Sequence, residues 1–250
     1  MIKSWRSLLA YAFFAITMVV ILPAASPAQV RVLMSGGFSA AYQQLLPEFQ
    51  KTTGITVTTV RGPSQGEGPN TIGAQLRRGV SADMLIMSKS GLAELSAEGK
   101  IVTGSEVDLA EVPLGIGVRA ESPRPDISTV DAFKQTLLRA KSVGTQSSST
   151  IYVTTKLFPQ LGIAGAMEGK LSDAGPASVA KGEVELVIAP VSEIVTIPGV
   201  DFVGTIPAEI QLVQVFTAAL VKGGKEVETS KRLIASSRRK WQLVRSRRRE

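Results

Sequence analysis

Apolar and polar positions along the chain switch between two periods, and the switches mark its elements. Residues 30–34 read as a buried strand, broken only by Arg31, that ends in Ser35, Gly36 and Gly37. Phe38, Ala41, Tyr42, Leu45, Leu46 and Phe49 then recur at helical spacing, so the pattern predicts a strand, a glycine turn and an amphipathic helix. Pro47 falls inside that stripe and lacks an N–H, which predicts a kink or an early end. Residues 55–60 alternate as a strand, and 83–88 read as a buried one. Short helices are predicted over 71–78 and 91–98, each closed by a glycine.

Near residue 112 the pattern restarts. It predicts a strand over 114–119, a helix from Ser128 or Thr129 to Lys141, and a helix over 151–161. Strands follow over 183–189 and 200–203, then a β-branched run over 212–221 and a last helix from Glu226. Strand alternates with helix throughout, which predicts parallel sheets with helices on both faces. The restart near 112 and a return near 204 predict two lobes. One comprises residues 29–111 with 204–237, and the other, residues 112–203, is inserted in it.

The front of the chain predicts export. Lys3 and Arg6 precede residues 8–22, in which Thr17 is the only polar member. Small residues and two prolines then lead to Ala28, which makes residues 1–28 a signal peptide cleaved before Gln29. A spanning helix wants roughly 20 apolar residues, more than this run supplies. The expected location is the periplasm, and the expected state is a soluble monomer.

Composition narrows the chemistry sharply. Of 250 residues, 44% are hydrophobic and 20% charged, and neither cysteine nor histidine occurs. Zinc fingers, Ser-His-Asp triads, Cys-His dyads and disulfides are thereby excluded. Charge needs locating before it means anything. Of the formal net +7, the leader carries +2 and residues 238–250 carry +6, which leaves −1 for the body. No nucleic-acid partner is expected, and the basic end reads as a disordered tail.

Four loops at strand-to-helix junctions hold the candidate chemistry. The first comprises Ser35, Gly36, Gly37 and Ser39; the second runs from Arg61 to Asn70 and contains Ser64 and Gln65. The third holds Gln146, Ser147, Ser148 and Ser149, and the fourth Val191, Ser192 and Glu193. Hydroxyls and free amides at such junctions suit an anion, because helix N-termini present unpaired N–H groups. Each loop alone is also what a solvated turn or a helix cap looks like. Arg61 reads either as an anion partner or as a surface residue. Glu67 and Asp83 are a possible acid and base, although no spacing brings them together.

The stretches VLMSGGF at 32–38, LLPEF at 45–49 and TGITV at 53–57 resemble the opening of molybdate-binding proteins of ABC importers. QLRRG at 75–79, ADMLI at 82–86, LSAEGKI at 95–101, GEVEL at 182–186, IPGV at 197–200 and IPAEI at 206–210 continue the resemblance in order. It implies an α/β type II periplasmic binding protein fold, two lobes joined by a two-strand hinge with the ligand between them. It further implies that Ser35, Gly36, Gly37, Ser39, Ser64, Gln65, Ser147, Ser148 and Ser192 hold a small oxyanion for a membrane permease. Gly37 stands where the family's first binding serine is expected, and Ala189-Pro190 where an aromatic hydroxyl is common.

The expectation is therefore a solute-binding protein with no chemical step, no cofactor and no metal ligands. A ligand-sensing domain of a transcription regulator shares the architecture. A serine hydrolase is the enzymatic alternative, without a histidine base or a Gly-x-Ser-x-Gly elbow to support it.

Overall fold

The computed structural model describes residues 29–247, with side chains to Arg238. The signal peptide expected over 1–28 lies outside the described residues. Strand β1 (Gln29–Met34) leads through a 3-10 turn, Gly36–Phe38, into helix α1 (Ser39–Thr53). Pro47 does not end that helix. Pro47 and Gln43 are both exposed, so the carbonyl left without its amide partner faces water. Gly54 at φ 68° closes α1 in the left-handed conformation.

β2 (Thr56–Arg61), α2 (Ile72–Arg77), β3 (Met84–Ser88) and α3 (Lys89–Ala97) complete the first half. β1 lies between β2 and β3, parallel to both. β3 is buried at every position, as the apolar run from Met84 to Met87 requires. Strand β4 (Val107–Arg119) then passes from this sheet into a second one.

α4 (Val130–Arg139), β5 (Val143–Thr145), α5 (Ser148–Tyr152), a π-turn at Val153–Leu157 and α6 (Phe158–Leu161) follow. After them come β6 (Leu171–Asp173), α7 (Pro176–Ala180), β7 (Leu186–Pro190), α8 (Val191–Ile194) and β8 (Val200–Thr205). β9 (Val213–Leu220) returns to the first sheet, and α9 (Val227–Arg247) ends the described chain.

The sheet is mixed rather than parallel. β9 runs antiparallel to β3 and to the first part of β4, while the second part of β4 runs antiparallel to β7 and β8. A strand that leaves one half must be matched by one that returns, and the two cross as an antiparallel pair. Gly115 and Gly117 let β4 fit between β7 and β8. A Cβ on Gly115 would lie 2.8 Å from the Gly204 carbonyl oxygen, and one on Gly117 would touch Val187, Ile194 and Val200. Gln211 braces the crossing: its Oε1 accepts from Leu114 N at 2.8 Å, and its Nε2 donates to Leu114 O and Ile206 O at 3.1 Å.

Each half has its own core. Phe38, Tyr42, Leu45 and Phe49 of α1 pack with Met84, Ile86, Phe216 and Leu233, and Phe133, Leu137, Phe158 and Ile188 pack in the second half. α9 is helical as far as Arg247 and so runs into the residues expected as a basic tail. Arginine, lysine, glutamine and leucine are good helix formers, and positive charge near a helix C-terminus complements its dipole. Among the described residues no helix is long and apolar enough to cross a membrane.

Candidate functional site

Turns after four strands converge where the two halves face each other, around a cavity of about 390 Å³. The first half contributes Ser35 and Gly36 after β1, then Arg61, Gly62, Pro63 and Ser64 after β2, with Asn70 beyond. From the second half come Gln146, Ser147, Ser148 and Ser149 after β5, and Pro190 and Glu193 after β7. Gln214 and Phe216 on β9 complete the wall. Arg61 is the one cation among these lining residues, and Glu193 the one carboxyl.

The donors are held by their neighbours. Arg61 Nη1 donates to Ser39 Oγ at 2.8 Å. Ser64 Oγ accepts from Ser88 N at 2.9 Å, and Gln214 Nε2 donates to Ser149 Oγ at 2.9 Å. Ser35 Oγ is buried and has no hydrogen-bond partner among the described residues. A buried hydroxyl left in that state at a cavity wall is a donor awaiting an acceptor.

Hydrogen bonds also join the halves beside the cavity. Gln65 N donates to Ser147 Oγ at 3.1 Å, and Ser148 Oγ donates to Gln65 Oε1 at 2.7 Å. The hydroxyls of Ser88 and Ser148 share a proton contact at 2.8 Å. Ser147 sits at φ 57°, ψ −135°, a conformation that costs a non-glycine residue of order 1–3 kcal/mol. On the opposite side, Ser192 Oγ donates to Gly37 O at 2.5 Å.

Glu193 is the unusual group. It lies in the first turn of α8, and burial pushes its carboxyl up to about 7. Desolvation is the whole cause; no neighbouring charge contributes. The elements packed on α8 are β4, β7, β8, α1 and the 36–38 turn. Their charged residues, Asp108, Glu111, Arg119, Glu48, Lys51 and Asp201, all lie outside the cavity lining. An ionised carboxylate would repel an anion here, whereas a carboxyl that titrates near neutrality can carry a proton or take one.

Ser35, Gly36, Ser64, Ser147 and Ser148 thus face one cavity. Gly37 and Ser192 instead line a second, more apolar cavity behind α8, and Gln65 lines a third beside Ser88. Gly37 is a packing glycine, because a Cβ there would lie 1.8 Å from Phe216 Cζ. Ser39 lies outside all three cavities and serves Arg61. Of the possible acid and base, Asp83 is structural. Its carboxylate accepts from the backbone N–H groups of Arg31, Lys225 and Glu226, while Glu67 lies exposed in its loop. Gln214 and Phe216 lie outside the four loops that the sequence marks, whereas Asn70 and Glu193 fall within them without a role of their own. For Glu193 a signal existed: a carboxylate beside donor-rich turns is out of place unless it has a purpose.

Comparison with known proteins fits this architecture. Residues 30–236 match the family of bacterial extracellular solute-binding proteins, and the chain belongs to that family. The fold is that of type II periplasmic binding proteins. The periplasmic molybdate-binding protein of Azotobacter vinelandii superposes with a TM-score of 0.68 at 18% identity, covering 83% of this chain and 92% of that one. The substrate-binding domain of a molybdenum ABC transporter from Clostridium difficile, itself described as putative, superposes at 0.59 with 16% identity over 84% and 92%. A Pseudomonas sp protein named aconitate isomerase is 36% identical over 208 residues, covering 81% of this chain and 79% of its own length. That relative overturns the expectation that this fold implies no chemical step: the name is that of an enzyme.

Proposed function

We propose that this chain binds a small polycarboxylate between its halves and isomerises it by moving a proton, with aconitate as the substrate. The observation that carries the reading is the placement of Glu193, a half-buried residue whose carboxyl lies against Gly36 at the wall of a cavity otherwise furnished with anion donors, where desolvation pushes it up to about 7. A general base works best when its pKa lies near the operating pH. With no histidine or cysteine in the chain, a carboxyl in this state is the suitable group.

The chemistry needs nothing the cavity lacks. Aconitate carries a CH2 between a carboxylate and a C=C bond. Glu193 takes a proton from that CH2, and the electron pair left behind delocalises through the C=C onto the conjugated carboxylate. Return of the proton from Glu193 to the former vinylic carbon forms a new C–H bond and shifts the double bond by one position. The bound conformation then sets whether the new double bond is cis or trans. Atoms and electrons balance with no co-reactant. Arg61 and the Ser64, Ser147 and Ser149 hydroxyls would take the carboxylates, with Ser35 donating to one oxygen.

Export by residues 1–28, with cleavage after Ala28, belongs to the same proposal, as does motion of residues 29–111 with 204–237 against 112–203. Family membership favours a second role for the cleft, in which a captured anion is delivered to an ABC permease. The test is incubation of residues 29–250 with cis- or trans-aconitate, followed by proton NMR. Interconversion is expected, and Glu193→Gln should slow it by about 10²–10⁴-fold while calorimetry still detects binding. Absence of both interconversion and binding in the parent would overturn the reading.

A further inference from the structure

Glu193 is half-buried, and its cover does not come from its own half of the molecule alone. It sits on α8, a four-residue helix following β7, and the cover over its carboxyl is the turn after β1 in the opposite half. A Cβ built on Gly36 would lie 2.8 Å from Glu193 Oε1 and 3.0 Å from its Cδ. The carboxyl therefore occupies space that any side chain at position 36 would claim. The adjacent residue, Ser192, reaches across to the Gly37 carbonyl at 2.5 Å. Phe216 of β9 closes off the space beside Gly37, where a Cβ would lie 1.8 Å from its Cζ.

We propose that Ser192 and Gly36 are positioning residues for Glu193, and that the base is assembled only when the two halves meet. The Ser192 hydroxyl docks α8 on the fixed 36–38 turn, and the bare Cα of Gly36 provides the seat for the carboxyl. In an open cleft Glu193 would be hydrated and would behave as an ordinary glutamate; closure removes the water and raises its affinity for a proton. A polycarboxylate that draws the halves together would thus create the proton-transfer group at the moment of capture. This inference rests on the reading of Glu193 as the base.

The experiment uses the chain from Gln29 with three variants: Ser192→Ala, Ser192→Thr and Gly36→Ala. The ionisation of Glu193 is followed directly, by carbon NMR of labelled glutamate carboxyls with Glu193→Gln for assignment. The same proteins are assayed for kcat and KM on aconitate across pH. Ser192→Ala and Gly36→Ala should return the Glu193 titration toward the ordinary glutamate range and lower kcat at least 10-fold, with a smaller change in KM. Ser192→Thr, which keeps the hydroxyl, should stay near the parent. Unchanged Glu193 titration in Ser192→Ala and Gly36→Ala would overturn the positioning role, whatever the activity. If Gly36→Ala fails to fold, Ser192→Ala against Ser192→Thr decides alone. A parent that shows no isomerisation while its Glu193 titration still moves in the variants would sink the enzymatic reading and leave the positioning intact.

Discussion

Arg61 Nη1 is hydrogen-bonded to Ser39 Oγ at 2.8 Å, so the cation lining the cavity is held by the first residue of α1. The tether fixes a flexible side chain before any ligand arrives, which reduces the entropy lost on binding. Charge-assisted hydrogen bonds contribute about 1.5–3 kcal/mol, so Arg61→Gln should weaken carboxylate binding roughly 10–150-fold. Ser39→Ala leaves the charge and removes the tether, so its loss should be several-fold at most. Calorimetric titration with aconitate checks both. Equal affinity for Arg61→Gln and the parent would place the anion elsewhere.

Glu193 predicts an unusual pH dependence of stability. In the folded chain its carboxyl titrates at about 7, against an ordinary value of 4.5 when unfolded. Between those values the folded state holds a proton that the unfolded state has lost, so stability falls as pH rises through the window. The amplitude is on the order of 3 kcal/mol. Glu193→Gln carries no such titration. Its melting temperature should match the parent's below pH 4.5 and exceed it above pH 7. Parallel melting curves across that window would mean that the carboxyl is hydrated in solution.

Much of this architecture is legible in the sequence because local pattern and tertiary packing agree. The stripe from Phe38 to Phe49 becomes the buried face of α1, and the apolar run of β3 is buried on both sides. The four loops are likewise visible, because hydroxyls and glycines at strand ends have few other uses. Direction is not visible: nothing in residues 212–221 states that β9 runs antiparallel between β3 and β4. Side-chain partners are equally hidden. Ser39 and Ser192 look like binding hydroxyls, yet one holds Arg61 and the other holds the Gly37 carbonyl. Glu193 acquires its significance only from Gly36, more than 150 residues away in sequence.

Asp83 illustrates a carboxylate whose task is structural. Its Oδ2 accepts from Arg31 N at 2.8 Å, and its Oδ1 accepts from Lys225 N and Glu226 N at 2.8 and 3.1 Å. It therefore ties β1, the start of β3 and the start of α9 together, with negative charge where the helix dipole favours it. Asp83→Ala leaves three backbone donors with a lost partner and should cost about 2–4 kcal/mol of stability. Denaturant unfolding monitored by circular dichroism measures the loss. Glu193 chemistry lies elsewhere, so turnover per folded molecule should be unchanged. A fall in turnover beyond the fall in folded fraction would contradict the structural assignment.

α9 separates into a packed part and a basic part, and the two should respond differently to removal. Ser230, Leu233, Ile234 and Ser237 are buried at helical spacing, and Leu233 and Ile234 belong to the core formed by α1 and the first sheet. Ser237 Oγ donates to Leu233 O at 2.9 Å, which keeps this last buried hydroxyl satisfied inside the helix. From Arg238 onward the sequence carries seven basic residues and one glutamate, so extending the helix adds like charges along one segment. Those charges repel one another, although their position at the C-terminal end of α9 offsets part of the cost through the helix dipole. Stopping the chain after Arg238 should therefore change stability by less than about 1 kcal/mol, since it removes mostly like charges and keeps the buried face from Ser230 to Ser237. Leu233→Ala leaves a cavity against α1 and should cost about 2–5 kcal/mol. Thermal melts of the shortened chain, the Leu233→Ala variant and the parent give the comparison directly. If the shortened chain melts as low as Leu233→Ala, the basic segment packs on the body and contributes to its core.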